Sequence, residues 1–189
     1  DRANTYDKLA RYDEALSDLG RVIDLNPHHA FAYLGRGLIY HKLARYDEAL
    51  NDYERAIDLN PHHADAYFNR GVTYGKLGRL DLALSDYGRA IELHPHDADA
   101  YYNRGVTYEK LGHIEEALSD YGRAIDLNPH YAKVYYNRGN TLASLARYDE
   151  ALNDYERAID LNPHDAKAYY NPGTALASLA RHDEALPDY

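Results

Sequence analysis

Between residues 64 and 97, small and apolar side chains fall at Ala66, Tyr67, Gly71, Tyr74 and Leu77, the i, i+3/i+4 spacing of one helix face. A second stripe of the same kind runs through Leu80, Ala83, Leu84, Tyr87, Ala90 and Ile91. The segment therefore reads as two amphipathic helices broken at Gly78-Arg79. Pro95 stops the second, because the residue before a proline is pushed out of helical geometry. Sliding the chain by 34 residues lays Asn26-Pro27-His28 on Asn60-Pro61-His62, His94-Pro95-His96, Asn128-Pro129-His130 and Asn162-Pro163-His164. The same shift superposes Ala15-Leu16 on Ala49-Leu50, Ala83-Leu84, Ala117-Leu118, Ala151-Leu152 and Ala185-Leu186.

The chain thus divides into full repeats 30–63, 64–97, 98–131 and 132–165, with truncated units 1–29 and 166–189. No linker interrupts them, so residues 1–189 are expected to form a single array. Places within a repeat are numbered 1 to 34 from Ala30, Ala64, Ala98, Ala132 and Ala166. Each repeat reads as two helices, the break falling at Ala44-Arg45 or Ala146-Arg147 in others. Asp97 and Asp165 suit the N-cap of the following helix; His29, His63 and Tyr131 hold that place elsewhere and cap less well. Small residues such as Gly71, Ala83 and Ala90 permit close helix approach. Neither helix can bury its stripe alone, but stacked repeats can, which predicts an all-α solenoid of antiparallel helix pairs.

The recurring residues are an aromatic at place 4 (Tyr67), Gly71 at place 8, Tyr74 at place 11 and Ala83 at place 20. Tyr87 at place 24, Ala90 at 27 and Pro95 at 32 complete the set. This pattern resembles the tetratricopeptide repeat along the whole chain, which implies a right-handed superhelix with a protein-binding role. It also explains most of the tyrosines, since places 4, 11, 17 and 24 hold 17 of the 21. Those rings read as helix-packing core with hydroxyls at its edge.

Composition narrows the function. Zero Cys excludes disulfides and thiolate chemistry. A formal net charge of −10 disfavours nucleic acid. No apolar run is long enough to span a membrane. Asp1 opens in mid-helix without a signal peptide or initiator Met, which predicts a fragment of a longer array, expected to be cytoplasmic. His28, His62, His96, His130 and His164 form a ladder one helix spacing apart, ~10 Å or more. Metal donors must lie ~2 Å from one centre, so no metal or other cofactor is expected. Acidic residues such as Asp13, Glu14, Asp47 and Glu48 open second helices, where the dipole favours them. No catalytic spacing is present, and the chain reads as a non-enzyme.

Place 7 is Arg2, Arg36, Arg70, Arg104 and Arg138, while place 23 is Asp18, Asp52, Asp86, Asp120, Asp154 and Asp188. These predict intra-repeat ion pairs at a partly buried helix interface. Pro172 replaces the Arg in the last unit, and Pro172 and Pro187 predict a kinked or frayed terminal repeat.

In the family that the chain resembles, first helices line a concave groove through places 2, 5, 6, 9, 12 and 13. Place 5 carries Leu34, Phe68, Tyr102, Tyr136 and Tyr170, an apolar or aromatic row that the core does not require. Place 6 carries Asn69, Asn103, Asn137 and Asn171, side chains that can both donate to and accept from a peptide backbone. Asn140 stands at place 9, Lys133 and Lys167 at place 2, and Lys76 and Lys110 at place 13. The family's carboxylate clamp fits poorly, because place 5 lacks Lys and Asn137 stands where Arg is needed. The expected function is a scaffold that binds an extended peptide or protein segment in this groove. Alternatives are a spacer or end-to-end self-association module of a larger protein, or an idealised array, since 25 of 34 places agree between 64–97 and 98–131.

Overall fold

The two stripes of each repeat become two helices joined by a turn of two or three residues, and the computed structural model describes residues 2–163, with side chains in the first helix from Arg11 onward. Among the described residues the helices are α1 (Arg2–Leu25), α2 (Ala30–Lys42), α3 (Tyr46–Leu59), α4 (Ala64–Lys76) and α5 (Leu80–Leu93). They continue as α6 (Ala98–Leu111), α7 (Ile114–Leu127), α8 (Ala132–Ser144) and α9 (Tyr148–Leu161). Two compact units divide the chain, Asp1–Pro95 and His96–Tyr189. In the first, α2 pairs with α3 and α4 with α5, while α1 packs on α2 and α3 on α4. In the second, α6 pairs with α7 and α8 with α9, joined through α7 and α8.

Each turn closes the first helix with a Schellman arrangement. The Arg45 amide donates to the Tyr40 carbonyl at 2.9 Å and the Ala44 amide to His41 at 3.0 Å. The residue at place 15 must be left-handed: Gly78 and Gly112 have φ of 72° and 79°, and Ala44 and Ala146 have 57° and 58°. A Cβ in that region costs roughly 1–2 kcal/mol. Ala44→Gly is therefore expected to stabilise the protein by about 1 kcal/mol after the entropy of the unfolded glycine is subtracted, read as a higher denaturation midpoint.

The truncated unit does not repeat this turn. Helix α1 runs unbroken through Ala10-Arg11. One consequence corrects the pairing expected of Arg2 and Asp18. Sixteen residues along a continuous helix span about 24 Å, and Asp18 is exposed.

In the full repeats the pairing geometry is uniform. Arg36 donates to Asp52 through Nε and Nη2 at 2.8 and 2.7 Å, and Arg70 to Asp86 at 2.8 and 2.8 Å. Arg104 reaches Asp120 at 2.7 and 2.8 Å, and Arg138 reaches Asp154 at 2.7 and 2.7 Å. All four aspartates are buried. The bidentate fork satisfies both carboxylate oxygens, which is what permits their burial. The carboxylate bond raises each arginine further above its ordinary range. Around each pair lie Ala49, Ala83, Ala117 or Ala151 and the tyrosine at place 24, all buried.

The repeat-to-repeat turn explains its own sequence. Asn26, Asn60 and Asn128 accept through Oδ1 from the backbone amides of His28, His62 and His130 at 3.2, 3.1 and 3.1 Å. Those histidine side chains are exposed. Asp97 caps α6, accepting from the amides of Asp99 and Ala100 at 2.9 and 3.3 Å. His29 also caps, contrary to its ranking as a poorer candidate, its Nδ1 accepting from Ala32 at 3.2 Å. His63 and Tyr131 make no such bond. Asp165, Pro172 and Pro187 lie outside the described residues.

Candidate binding face

Within each unit the first helices of successive repeats touch, α2 with α4 and α6 with α8, so their outward places form a continuous strip. In the second unit, Asp99, Lys110 and Lys133 are exposed along it, and Asn103, Val106, Glu109, Asn137 and Asn140 are half-buried. Most of these polar groups are already oriented. Asn103 donates through Nδ2 to its own helix at the Asp99 carbonyl, 2.7 Å away. Asn137 donates to the Tyr102 hydroxyl at 2.9 Å. Asn140 accepts through Oδ1 from Tyr155, also at 2.9 Å. Tyr121 donates to Glu109 at 2.7 Å, and Tyr131 to Asp99 at 2.5 Å.

Place 5 belongs largely to the core rather than to an optional aromatic row. Tyr102 is 5% exposed. It packs against Tyr121 and Tyr131 with ring centroids 6.2 and 5.3 Å apart. Lys133 Nζ sits 5.0 Å from its ring centre, within cation–π range. Tyr136 is half-buried beside Tyr155 at 6.1 Å, and Phe68 beside Tyr87 at 6.0 Å. A ring at place 5 covers the tyrosine at place 24 and, at Tyr102, supplies an acceptor to the strip. Burial raises the Tyr155 phenol to about 12. Burial also raises Tyr121, with the neighbouring Glu109 carboxylate adding to the effect.

The first unit presents a different surface. Asn69 donates to the Asp65 carbonyl at 2.7 Å, and Lys42 and Lys76 are exposed. Phe31 is 64% exposed and tilts against the buried His63, ring centroids 4.6 Å apart. His41 lies 2.8 Å, Nδ1 to Oγ1, from Thr73. The Thr73 hydroxyl donates to the Asn69 carbonyl at 2.9 Å, so His41 must donate through Nδ1–H. Burial, with Lys76 assisting, lowers the His41 pKa. The unfolded chain therefore binds a proton at His41 more readily than the folded one. Its stabilising contribution is complete above the ordinary value near pH 6.5 and fades as pH falls below it. Replacing His41 with Asn should flatten the stability profile below about pH 6.5, measured by chemical denaturation.

The structure thus gathers Tyr102, Asn103, Lys110, Lys133, Tyr136, Asn137 and Asn140 in one unit, and Phe68, Asn69 and Lys76 in the other. Lys167, Tyr170 and Asn171 lie outside the described residues. Sequence reasoning did not single out the bonds of Tyr121 to Glu109 and of Tyr131 to Asp99 beside the asparagines. Tyr131 was signalled by falling outside the four tyrosine places. Among the described residues no group of three His, Asp or Glu side chains could hold a metal ion, and no helix is long and apolar enough to cross a membrane.

The paired helices, the glycine at place 8 under the tyrosine at place 24 and the turn proline define an all-α repeat solenoid. The tetratricopeptide repeat family matches residues 98–131 and 132–165 in one description, 45–78 and 76–112 in a second, and 1–50 in a third. The chain belongs to the tetratricopeptide repeat family. None of the curated proteins compared with it matches. Among solved structures it is similar to YrrB, described as a TPR protein with an unusual peptide-binding site, at 29% identity and a TM-score of 0.73. That match covers 89% of this chain and 87% of YrrB. TTC0263, a thermophilic TPR protein of Thermus thermophilus, matches at 25% identity and a TM-score of 0.69, covering 92% and 94%. MamA shares the fold at 23% identity and a TM-score of 0.77, covering 88% and 98%.

Proposed function

We propose that the chain is a protein-binding scaffold whose first-helix strip holds an extended peptide segment. The carrying observation is the orientation of the strip's polar groups before any ligand arrives. Asn137 is fixed by Tyr102 and Asn140 by Tyr155, so little side-chain entropy is lost on binding. Asn103, with its amide nitrogen committed to Asp99, presents a carbonyl oxygen suited to a peptide N–H. Lys110 and Lys133 supply charge at the margins. The peptide-binding site ascribed to YrrB supports the same reading. An Asn103→Ala/Asn137→Ala variant is expected to retain its fold and lose at least tenfold in affinity for peptides selected on an array. Unchanged affinity in the folded variant would refute the strip as the site.

A second reading, self-association, is favoured by α1, where Val22 and Leu25 are 38% and 80% exposed. The alanines at the place of Val22 in later repeats, Ala56, Ala90, Ala124 and Ala158, are 0–2% exposed. A mass that does not change with concentration would exclude it.

A further inference from the structure

The arginine at place 7 normally lies between two tyrosine rings. Arg36 stands over Tyr33 at 5.6 Å and over Tyr40 at 5.9 Å. Arg70 does the same with Tyr67 and Tyr74 at 5.6 and 5.9 Å, and Arg104 with Tyr101 and Tyr108 at 5.6 and 5.8 Å. In the first full repeat the ring at place 11 is enclosed from a second side, since Arg45 lies only 4.4 Å from the Tyr40 centre. In repeat 132–165 place 11 is Leu142, and Arg138 keeps only Tyr135, at 5.9 Å.

A cleft of about 530 Å³ opens beside this substitution. Arg138, Leu142, Arg147 and Asn153 line it, with Leu118 and the exposed Glu115 contributed by α7. Arg138 and Arg147 occupy the same places as the two arginines that enclose Tyr40. Their in-plane edges are engaged by Asp154 and by Glu150, which leaves their flat faces as the stacking surfaces. Asp154 is buried, so the Arg138 guanidinium is held at a fixed orientation. The neighbouring repeat retains Tyr108 and has a smaller cleft of about 370 Å³.

We propose that this cleft is a docking site for a tyrosine side chain presented by a partner polypeptide. The ring takes the space that Tyr40 fills in its own repeat, resting on Leu142 and Leu118 and facing the guanidinium groups of Arg138 and Arg147. The occupant's chemistry follows from the walls. Two cationic planes select an aromatic face over an aliphatic side chain. Acidic groups at the rim, Glu115 and Glu150, accept from a phenol O–H and repel an anionic ring substituent. The site lies on α7, α8 and α9 and shares no residue with the proposed peptide strip.

The test is NMR titration of the intact chain with capped Gly-Tyr-Gly, with capped Gly-Leu-Gly and free p-cresol as comparisons. A single ring should bind with a dissociation constant on the order of millimolar. The tyrosyl peptide is expected to shift the amide resonances of Leu118, Leu142, Arg147 and Asn153 saturably, and at least fivefold more than the leucyl peptide. Leu142→Tyr restores the ring of the other repeats, and should abolish the response while leaving the thermal midpoint at or above that of the native chain. Ser119→Phe, at an exposed cleft-lining position on α7, should block the response without touching the core. No saturable shift, an equal response to leucine, or an undiminished response in folded variants would overturn the proposal. Tighter binding of p-cresol than of the peptide would overturn the assignment to a polypeptide partner.

Discussion

Replacing Arg104 with alanine is expected to destabilise the protein by about 3–5 kcal/mol. The cause is not the loss of two hydrogen bonds but what remains. The Asp120 side chain is 7% exposed and Arg104 22%. Without its partner, the carboxylate is stranded between α6 and α7 with no cation to offset its desolvation. Asp120→Ala should cost less, because the longer arginine can turn its head to water while its stem stays packed between Tyr101 and Tyr108. The double variant should be more stable than Arg104→Ala alone, since it buries no charge. Urea denaturation of all four proteins measures these differences. A double variant no more stable than the arginine single would show that the pair is not coupled.

This pair was legible in the sequence because both members recur at constant spacing. Arg and Asp at places 7 and 23 are 16 residues apart in every full repeat, so self-comparison isolates them. The same holds for the glycine at place 8, the alanine at place 20 and the prolines that end second helices. The contacts that shape the binding face do not keep the period. Asn137 reaches Tyr102 across 35 residues and Tyr131 reaches Asp99 across 32, so neither aligns with a 34-residue shift. The first joins places 6 and 5 of adjacent repeats, the second places 34 and 2 of one repeat. Tyr102 looked like a surplus aromatic, because four tyrosine places already seemed to fill the core. Its burial depends on the second-helix Tyr121 and on Tyr131 at the end of its own repeat, contacts that are apparent only once the helices are stacked.

Gly105→Ala provides the second large effect, and it tests the packing that brings α6 onto α7. A Cβ at Gly105 would lie 2.9 Å from both Cδ1 and Cε1 of Tyr121 and 3.3 Å from the Ala117 carbonyl oxygen. Neither neighbour yields easily. Tyr121 is fully buried, and its hydroxyl is tied to Glu109 at 2.7 Å, while the carbonyl belongs to the α7 backbone. The ring must move or the helices must separate, and overpacking of this kind costs about 1–3 kcal/mol even after the helix propensity gained from alanine. Gly122→Ala on the partner helix is the matched control. There the added Cβ meets only Arg138 Nη1, at 4.0 Å, so propensity alone should stabilise the chain by up to about 1 kcal/mol. Opposite signs for the same chemical change, one helix apart, would locate the requirement for glycine in the contact with Tyr121. A Gly105→Ala variant as stable as the native chain would mean that α6 and α7 can separate at little cost. The tyrosines at place 24 would then not set the distance between paired helices.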